Sequence, residues 1–330
     1  MPELPDLTVY VEHLERRVVG HRLERVRVSG WNLLRTAEPP LAAAEGRAMV
    51  GVRRVGKHLV LALEGGPLLA IHLMISGRLH WRAAGAAIPP KTGLAAFDFA
   101  HGSLLLTEAS SHQRAALHVL AGEAALATLD PGGLEPLAAD RAAFAKVLER
   151  EDHTLKRALT DPRLFAGIGN SYSDEILHRA RLSPFQRTPR LTPEQVGRLH
   201  AATRALLTEW TDRLRAESGE RFPERVTAFR EGMAVHGRHR LPCPDCGSPV
   251  QRVVYAEHEM NYCARCQTGG RLLADRALSR LLRDDWPRTL EELEERRPAP
   301  TARPPASAPR SPRGGRARRS PSRAGRAGRP

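Results

Sequence analysis

Two places in this chain hold residue types that can do chemistry at a spacing that supports it. The first is the opening, Met1-Pro2-Glu3-Leu4-Pro5-Asp6. A small residue after the initiator Met favours its removal, which would expose Pro2 as a free secondary amine. An α-amino group titrates near pH ~8, so a fair fraction of such an amine is unprotonated near neutrality. It can attack a carbon that is becoming electrophilic and form an iminium, as lysine does in Schiff-base enzymes. Glu3, alongside, is a carboxyl group able to deliver a proton in the same step. A Met-Pro start means little alone and takes its weight from the rest of the chain.

The second place is Cys243-Pro244-Asp245-Cys246 followed, sixteen residues on, by Cys263-Ala264-Arg265-Cys266, which together hold all four cysteines of the chain. Two Cys-x-x-Cys knuckles at this spacing make a tetrahedral zinc site between the strands of a small ribbon. Such a site is closed, so the metal is structural and not the catalyst. Strands over 250–255 and 259–262 would form the intervening hairpin, its tip carrying Glu257 and His258. Free or disulfide-linked thiols are the alternative, and they fit poorly with an opening that shows no secretion signal.

The elements that must position these groups follow from periodicity. Leu7, Val11, Leu14 and Val18 recur at helical spacing behind Asp6, so a buried helix over 7–18 fixes the amino terminus, with Gly20 ending it. The period then changes to two. Residues 23–28, 50–55, 58–63, 68–73, 96–99 and 103–107 read as short strands with Gly-rich turns, which predicts an antiparallel sandwich or barrel. Lys57, in Val55-Gly56-Lys57-His58, falls between two of these strands, where it is either a solvated strand end or a phosphate contact and proton donor. His72-Leu73-Met74-Ile75-Ser76-Gly77 closes another strand in a turn. Asp130-Pro131-Gly132-Gly133 marks a boundary. Helical character then dominates through 141–150, a pair of helices meeting at Gly167-Ile168-Gly169-Asn170, and a long helix from Thr192-Pro193 to about 215. Glycine and Asn at that meeting point allow a tight turn and bring backbone N–H groups to a helix start, a place suited to phosphate.

Composition narrows the partner. The 330 residues carry a net charge of +14 and a pI of about 10.7, with 41% hydrophobic content, enough for real cores. A polyanion, most simply nucleic acid, is implied. From 301 to 330 there are nine Arg and no acidic residue, leaving 14 − 9 = +5 for the body. That tail is too poor in apolar residues to fold and reads as a disordered basic arm. No apolar run reaches the length of a membrane span, and the chain reads as cytosolic. The expected fold is α+β and multidomain: an amino-terminal antiparallel β-sandwich over 2–132 with flanking helices, a helical domain over 133–230, a four-cysteine zinc ribbon over 231–270, a helical extension over 271–297 and the tail over 298–330.

Taken in order, Pro2-Glu3-Leu4-Pro5, Lys57, the segment from Ala166-Gly167-Ile168-Gly169-Asn170 to Glu175, and Val235-His236-Gly237-Arg238 ahead of Cys243 resemble the formamidopyrimidine-DNA glycosylase / endonuclease VIII family, over roughly residues 1–270. The resemblance implies a helix-two-turn-helix DNA-binding domain and a bifunctional glycosylase/AP lyase of base-excision repair. Acting as a monomer near the bacterial nucleoid, it would work on double-stranded DNA containing damaged bases or abasic sites, with one structural Zn2+. It implies that Pro2 attacks C1′ of a damaged nucleotide, that Glu3 protonates the sugar ring oxygen, and that β- and then δ-elimination cut the strand. Lys57 matches the lysine that contacts phosphate and assists catalysis, and Lys156 and Asn170 match residues that hold flanking phosphates.

The departures from the family lie where the lesion is selected and held. The zinc-hairpin arginine that clamps phosphate falls at His258, which lacks Arg's fork. Met74-Ile75 stands where the family has Gly-Met, whose Met fills the void, and Asp6 replaces Glu. Ala109-Ser110-Ser111-His112-Gln113-Arg114 replaces the Pro-Arg-Arg-Phe-Gly wedge. The link over 216–230 is short for the loop that caps 8-oxoguanine, so oxidised pyrimidines or abasic sites are expected at least as readily as that purine. The competing reading is a zinc-ribbon, helix-two-turn-helix protein that binds damaged DNA without turnover. An architectural protein acting through its Arg tail is a third.

Overall fold

The computed structural model describes residues 1–110, 112–224, 226–255, 258–274, 280–281 and 287–296. The expected tail, 298–330, lies outside the described residues.

The first helix, α1 (Leu4–Val18), opens with a Pro at its first turn and Asp6 accepting the backbone N–H of Glu3 at 2.9 Å. It starts three residues before the apolar repeat does, because Pro5 and Asp6 suit a first turn and need no apolar face. Leu7, Tyr10, Leu14 and Val18 face inward onto two antiparallel sheets. One sheet runs β1 (Arg22–Leu23), β3 (Arg47–Val55), β4 (His58–Leu63), β5 (Leu68–His72), β9 (Ala116–Leu120). The other runs β2 (Arg25–Val28), β7 (Gly93–Phe99), β8 (Gly102–Glu108), β6 (Gly77–Arg82). Their facing sides share one core: Val52, Leu59, Leu61 and Ile71 from the first sheet, and Val26, Phe97, Leu104 and Leu106 from the second. Alternation puts Val60, Leu68 and Ala70 on the outer face of the first sheet, where α2 (Glu123–Ala127) covers them with Leu126. Burial on both faces is why 58–63 reads as a nearly continuous apolar run.

The helical region comprises α3 (Arg141–Leu148), α4 (Leu155–Thr160), α5 (Asn170–Ala180) and α6 (Pro193–Ser218), with a capping box at Thr192 and Gln195 opening the last. Its core gathers Phe144, Leu155, Phe165, Tyr172, Leu207 and Trp210, and Leu4 joins it from the amino terminus. The link after α6 does not stay with these helices. Phe222 and Val226 bury into the core of the sandwich, and Glu224 pairs with Arg82 on β6.

Beyond the link, β10 (Gln251–Tyr255) and β11 (His258–Tyr262) pair antiparallel, followed by α7 (Ala264–Thr268) and, after a bridge from Arg271 to Thr289, α8 (Leu290–Glu295). His258, expected in the hairpin tip, is paired with Tyr255 at the end of the ladder. Among the described residues no helix is long and apolar enough to cross a membrane.

Candidate active site

The amino terminus is clamped by the helical region. Leu4 is 1% exposed in the helical core, and its N–H donates to the Gly167 carbonyl at 2.9 Å. Pro2 is buried behind it. Glu3 is 2% exposed, and its carboxylate sits on the first turn of α5. Oε2 accepts from Gly169 N at 2.7 Å and from Tyr172 N at 3.2 Å, while Oε1 accepts from Ser171 N at 2.8 Å. A helix N-terminus offers unsatisfied N–H groups and a positive dipole end, so it holds an anion in place. The expected anion site at Gly167-x-Gly169-Asn170 is therefore taken by the chain's own carboxylate.

Both glycines are required by this contact. Gly167 has φ of +78°, and a Cβ there would lie 2.9 Å from Leu4 Cβ. At Gly169 a Cβ would lie 2.6 Å from Glu3 Cδ.

Lys57 leads from the β3–β4 turn toward the same place and is half-buried. Burial pulls its ammonium below the ordinary lysine range, and the nearby Glu3 charge opposes that pull. The Met1 α-ammonium, one residue ahead of Pro2, is likewise lowered, first by burial, with Arg78 and Lys57 adding to it and Glu3 and Asp6 opposing. On the adjacent strands His58 and His72 stack edge to face with centroids 4.7 Å apart. Burial, then the charges of His58 and Lys57, hold His72 down to about 4, so it is neutral near pH 7. The front of the chain thus combines an amine, a fixed carboxylate and a desolvated lysine, which is what imine chemistry at a carbon centre requires.

Lys156, expected at a phosphate, is turned into the protein. It is 3% exposed, and its ammonium donates to Asn170 O at 2.7 Å, Ser173 Oγ at 2.8 Å and Asp174 Oδ1 at 2.5 Å. All three of its N–H donors are used. Burial in a lysine-carboxylate pair makes it a strut under α5. Asn170 donates from Nδ2 to the Glu259 carbonyl at 2.7 Å and so joins α5 to the ribbon. His258 lies in β11, and its side chain is outside the described residues.

Several residues that periodicity did not single out complete the assembly. Asp174 Oδ2 accepts from Asn261 N at 3.1 Å and lies 2.8 Å from His236 Nδ1. Glu175 accepts from three successive N–H groups, those of Ala234, Val235 and His236, at 2.7–2.8 Å. The pair Asp174-Glu175 thereby fixes the lead-in to the cysteines. Two adjacent acids on a helix whose next residues are Ile176 and Leu177 were the available signal. Glu108, at the end of β8, binds Ser76 Oγ at 3.1 Å and the N–H groups of Arg114 and Ala115 at 2.8 and 2.9 Å, tying the 73–76 turn to the 109–114 loop. In that turn Met74 takes a left-handed φ of +51°, and Ile75, not Met74, points outward at 62% exposure. Arg230 pairs with Asp6 at 2.5 Å.

The four cysteines converge. Their Sγ atoms all lie within 4.8 Å of one another, with Cys243–Cys266 at 3.9 Å and Cys246–Cys263 at 3.4 Å. A tetrahedral metal with bonds of about 2.3 Å to sulfur needs sulfurs about 3.8 Å apart, so this cluster can hold a metal ion. His178 Nε2 lies 3.2 Å from Cys243 Sγ and orients it from α5.

Comparison with known proteins agrees with this geometry. Residues 1–123 match the formamidopyrimidine-DNA glycosylase N-terminal domain, and residues 133–215 match the formamidopyrimidine-DNA glycosylase H2TH domain. The formamidopyrimidine-DNA glycosylase of Thermus thermophilus is 36% identical over 282 residues, covering 82% of this chain and all of that protein. A formamidopyrimidine-DNA glycosylase-like protein of Mycobacterium tuberculosis is 41% identical over 158 residues, 47% of this chain and 98% of its own length. Lactococcus lactis Fpg, solved in complex with THF-DNA and an inhibitor, superposes with a TM-score of 0.72 at 24% identity, over 81% of this chain and all of that one, a likeness of fold. The chain belongs to the formamidopyrimidine-DNA glycosylase family, the helix-two-turn-helix DNA glycosylases of base-excision repair.

Proposed function

We propose that this DNA glycosylase works through Pro2, exposed by removal of Met1, and carries AP lyase activity. The observation that supports it most directly is the seating of Glu3: three backbone N–H groups from α5 hold its carboxylate beside the front amine, in a pocket that also desolvates Lys57. In this reading the Pro2 nitrogen attacks C1′ of the extruded nucleotide and the bond from C1′ to the base breaks. The ring oxygen leaves C1′ with a proton passed through Glu3, giving an iminium. The iminium acidifies C2′; loss of that proton expels the 3′ phosphate, and a second elimination expels the 5′ phosphate. Glu3, fixed and negative, also stabilises positive charge as it develops at C1′, and such pre-set electrostatics is where rate acceleration chiefly comes from. Lys57 supplies a phosphate contact and a mobile proton, and Asn170 stands at the seam between α5 and the ribbon where a phosphate flanking the lesion would pass. Extrusion costs a few kcal/mol and is cheapest at a damaged pair.

Zn2+ fits the four cysteines, Cys243, Cys246, Cys263 and Cys266, and would contribute rigidity to the ribbon and no chemistry at the sugar. Oxidised pyrimidines and abasic sites are the substrates we assign ahead of 8-oxoguanine. The support is the link after α6, whose Phe222 and Val226 are buried in the sandwich core and not free to close over a purine.

Borohydride trapping on DNA carrying an abasic site tests the reaction. A covalent adduct is expected, reduced by Pro2→Gly and abolished when the amino terminus is blocked. No adduct from the wild type would leave a damage-binding protein without turnover. Faster cutting of 8-oxoguanine than of 5-hydroxyuracil would reject the lesion assignment.

A further inference from the structure

We propose that Phe229, backed by His236, is a stacking platform for the base of the extruded nucleotide, and that it selects planar oxidised bases over ring-saturated ones. This rests on the glycosylase reading above and names what that site prefers. Phe229 is 70% exposed. Its ring is nevertheless ordered against His236, in an offset stack with centroids 5.6 Å apart and planes within 12°. His236 is itself buried and pinned, at Nδ1 by Asp174 and at its backbone N–H by Glu175. Gly237 makes room for the ring, since a Cβ there would lie 2.5 Å from Phe229 Cδ1. One face of Phe229 is thus supported by a fixed aromatic ring, and the side chain offers most of its remaining surface to solvent.

Two runs of contacts tie the platform's neighbours to the amino terminus. The next residue, Arg230, grips Asp6, whose other carboxylate oxygen holds the Glu3 N–H. From the other direction, Glu175 carries His236 and lies six residues along α5 from Gly169, where Glu3 is seated. At 1.5 Å per residue those two anchor points are about 9 Å apart along the helix. An aromatic face takes any flat base without reading its edges. A base with a saturated, puckered ring, such as 5,6-dihydrouracil, cannot lie against it. Selection by flatness needs no loop closing over the lesion, and here Phe222 and Val226 anchor the first part of the link in the sandwich core.

Single-turnover excision of 5-hydroxyuracil and of 5,6-dihydrouracil, with borohydride trapping on an abasic site as reference, tests the platform in the full-length protein. For Phe229→Ala, excision of 5-hydroxyuracil should fall at least about fivefold, the lower end of what loss of one base–aromatic stack produces. Excision of dihydrouracil should fall less, and trapping, where there is no base to stack, should persist. Phe229→Trp should restore the planar substrate, and Phe229→Leu, equally apolar without a π face, should not. Wild-type excision of 5-hydroxyuracil by Phe229→Ala or Phe229→Leu overturns the platform, as does an equal loss on both bases and in trapping. Absence of a trapped adduct from the wild type instead overturns the glycosylase reading on which the platform stands.

Discussion

The single atom whose absence matters most is a Cβ at Gly169. The backbone there is extended, at φ of −132°, and tolerates alanine. The space is not available, because the atom would fall 2.6 Å from Glu3 Cδ. Glu3 cannot swing aside without giving up the N–H bonds that hold it. Gly169→Ala should therefore displace the carboxylate and slow abasic-site trapping by roughly 10²-fold, the scale of an ångström-sized misplacement, while equilibrium binding of the same DNA changes little. Loss of binding in step with trapping would contradict this. Titration gives a second expectation. Only the unprotonated amine attacks, so the trapping rate rises with pH through the amine pKa. Pro2 is buried, and burial disfavours a charged amine, so that rise should come below the ordinary α-amino value of about 8. Lys57 acts as a cation, and burial lowers its pKa too. The decline at high pH should then begin below the ordinary lysine value of about 10.4. A pH series of single-turnover trapping, repeated with Lys57→Arg to move the alkaline limb upward, checks both limbs.

Among the elements, α5 is the organiser. Its N-terminus holds Glu3, its second turn holds the lead-in to the cysteines through Asp174 and Glu175, and His178 touches Cys243. Lys156 supports it from α4 by neutralising Asp174, which is 1% exposed. Removing one partner of a buried pair strands the other charge, a loss of about 3–5 kcal/mol. Lys156→Met should lower stability to urea on that scale. Asp174→Asn combined with Lys156→Met should recover part of it. A phosphate-binding lysine would give the opposite pattern, with unchanged unfolding and weaker DNA binding, so the pair of measurements separates the strut from the contact that family resemblance implies.

Across the whole molecule the charge is divided unevenly: about +5 on residues 1–300 and nine arginines after them. Deleting residues 298–330 should leave the trapping rate at saturating DNA unchanged and weaken binding to undamaged duplex. The plot of log affinity against log salt should become shallower by up to about 0.9 for each phosphate that the arginines had neutralised. An unchanged slope would show that the tail makes no backbone contact. Chelation should act on a different part of the molecule. Loss of metal from the four cysteines should release the ribbon, and with it the Asn170–Glu259 seam. The sandwich, whose core among the described residues contains no ribbon residue, should stay folded by near-UV circular dichroism.

What could be read directly from the residues was whatever is local or ordered along the chain: the period-two strands, the helix behind Asp6, the two Cys-x-x-Cys knuckles, and the reactive types at Pro2, Glu3 and Lys57. These depend on neighbours a few residues away, and spacing records them. Tertiary structure alone decided the pairings between distant segments. Glycine and Asn at a helix start suggested a phosphate site around Gly169, yet folding brought Glu3 to it across 166 positions. Resemblance placed Lys156 on DNA, yet its donors are satisfied internally by Asn170, Ser173 and Asp174. The link residues Phe222 and Val226 read as part of a helical domain and pack into the sandwich. A charged or apolar side chain announces that it needs a partner; which partner it finds is set by the packing of elements that are far apart in sequence.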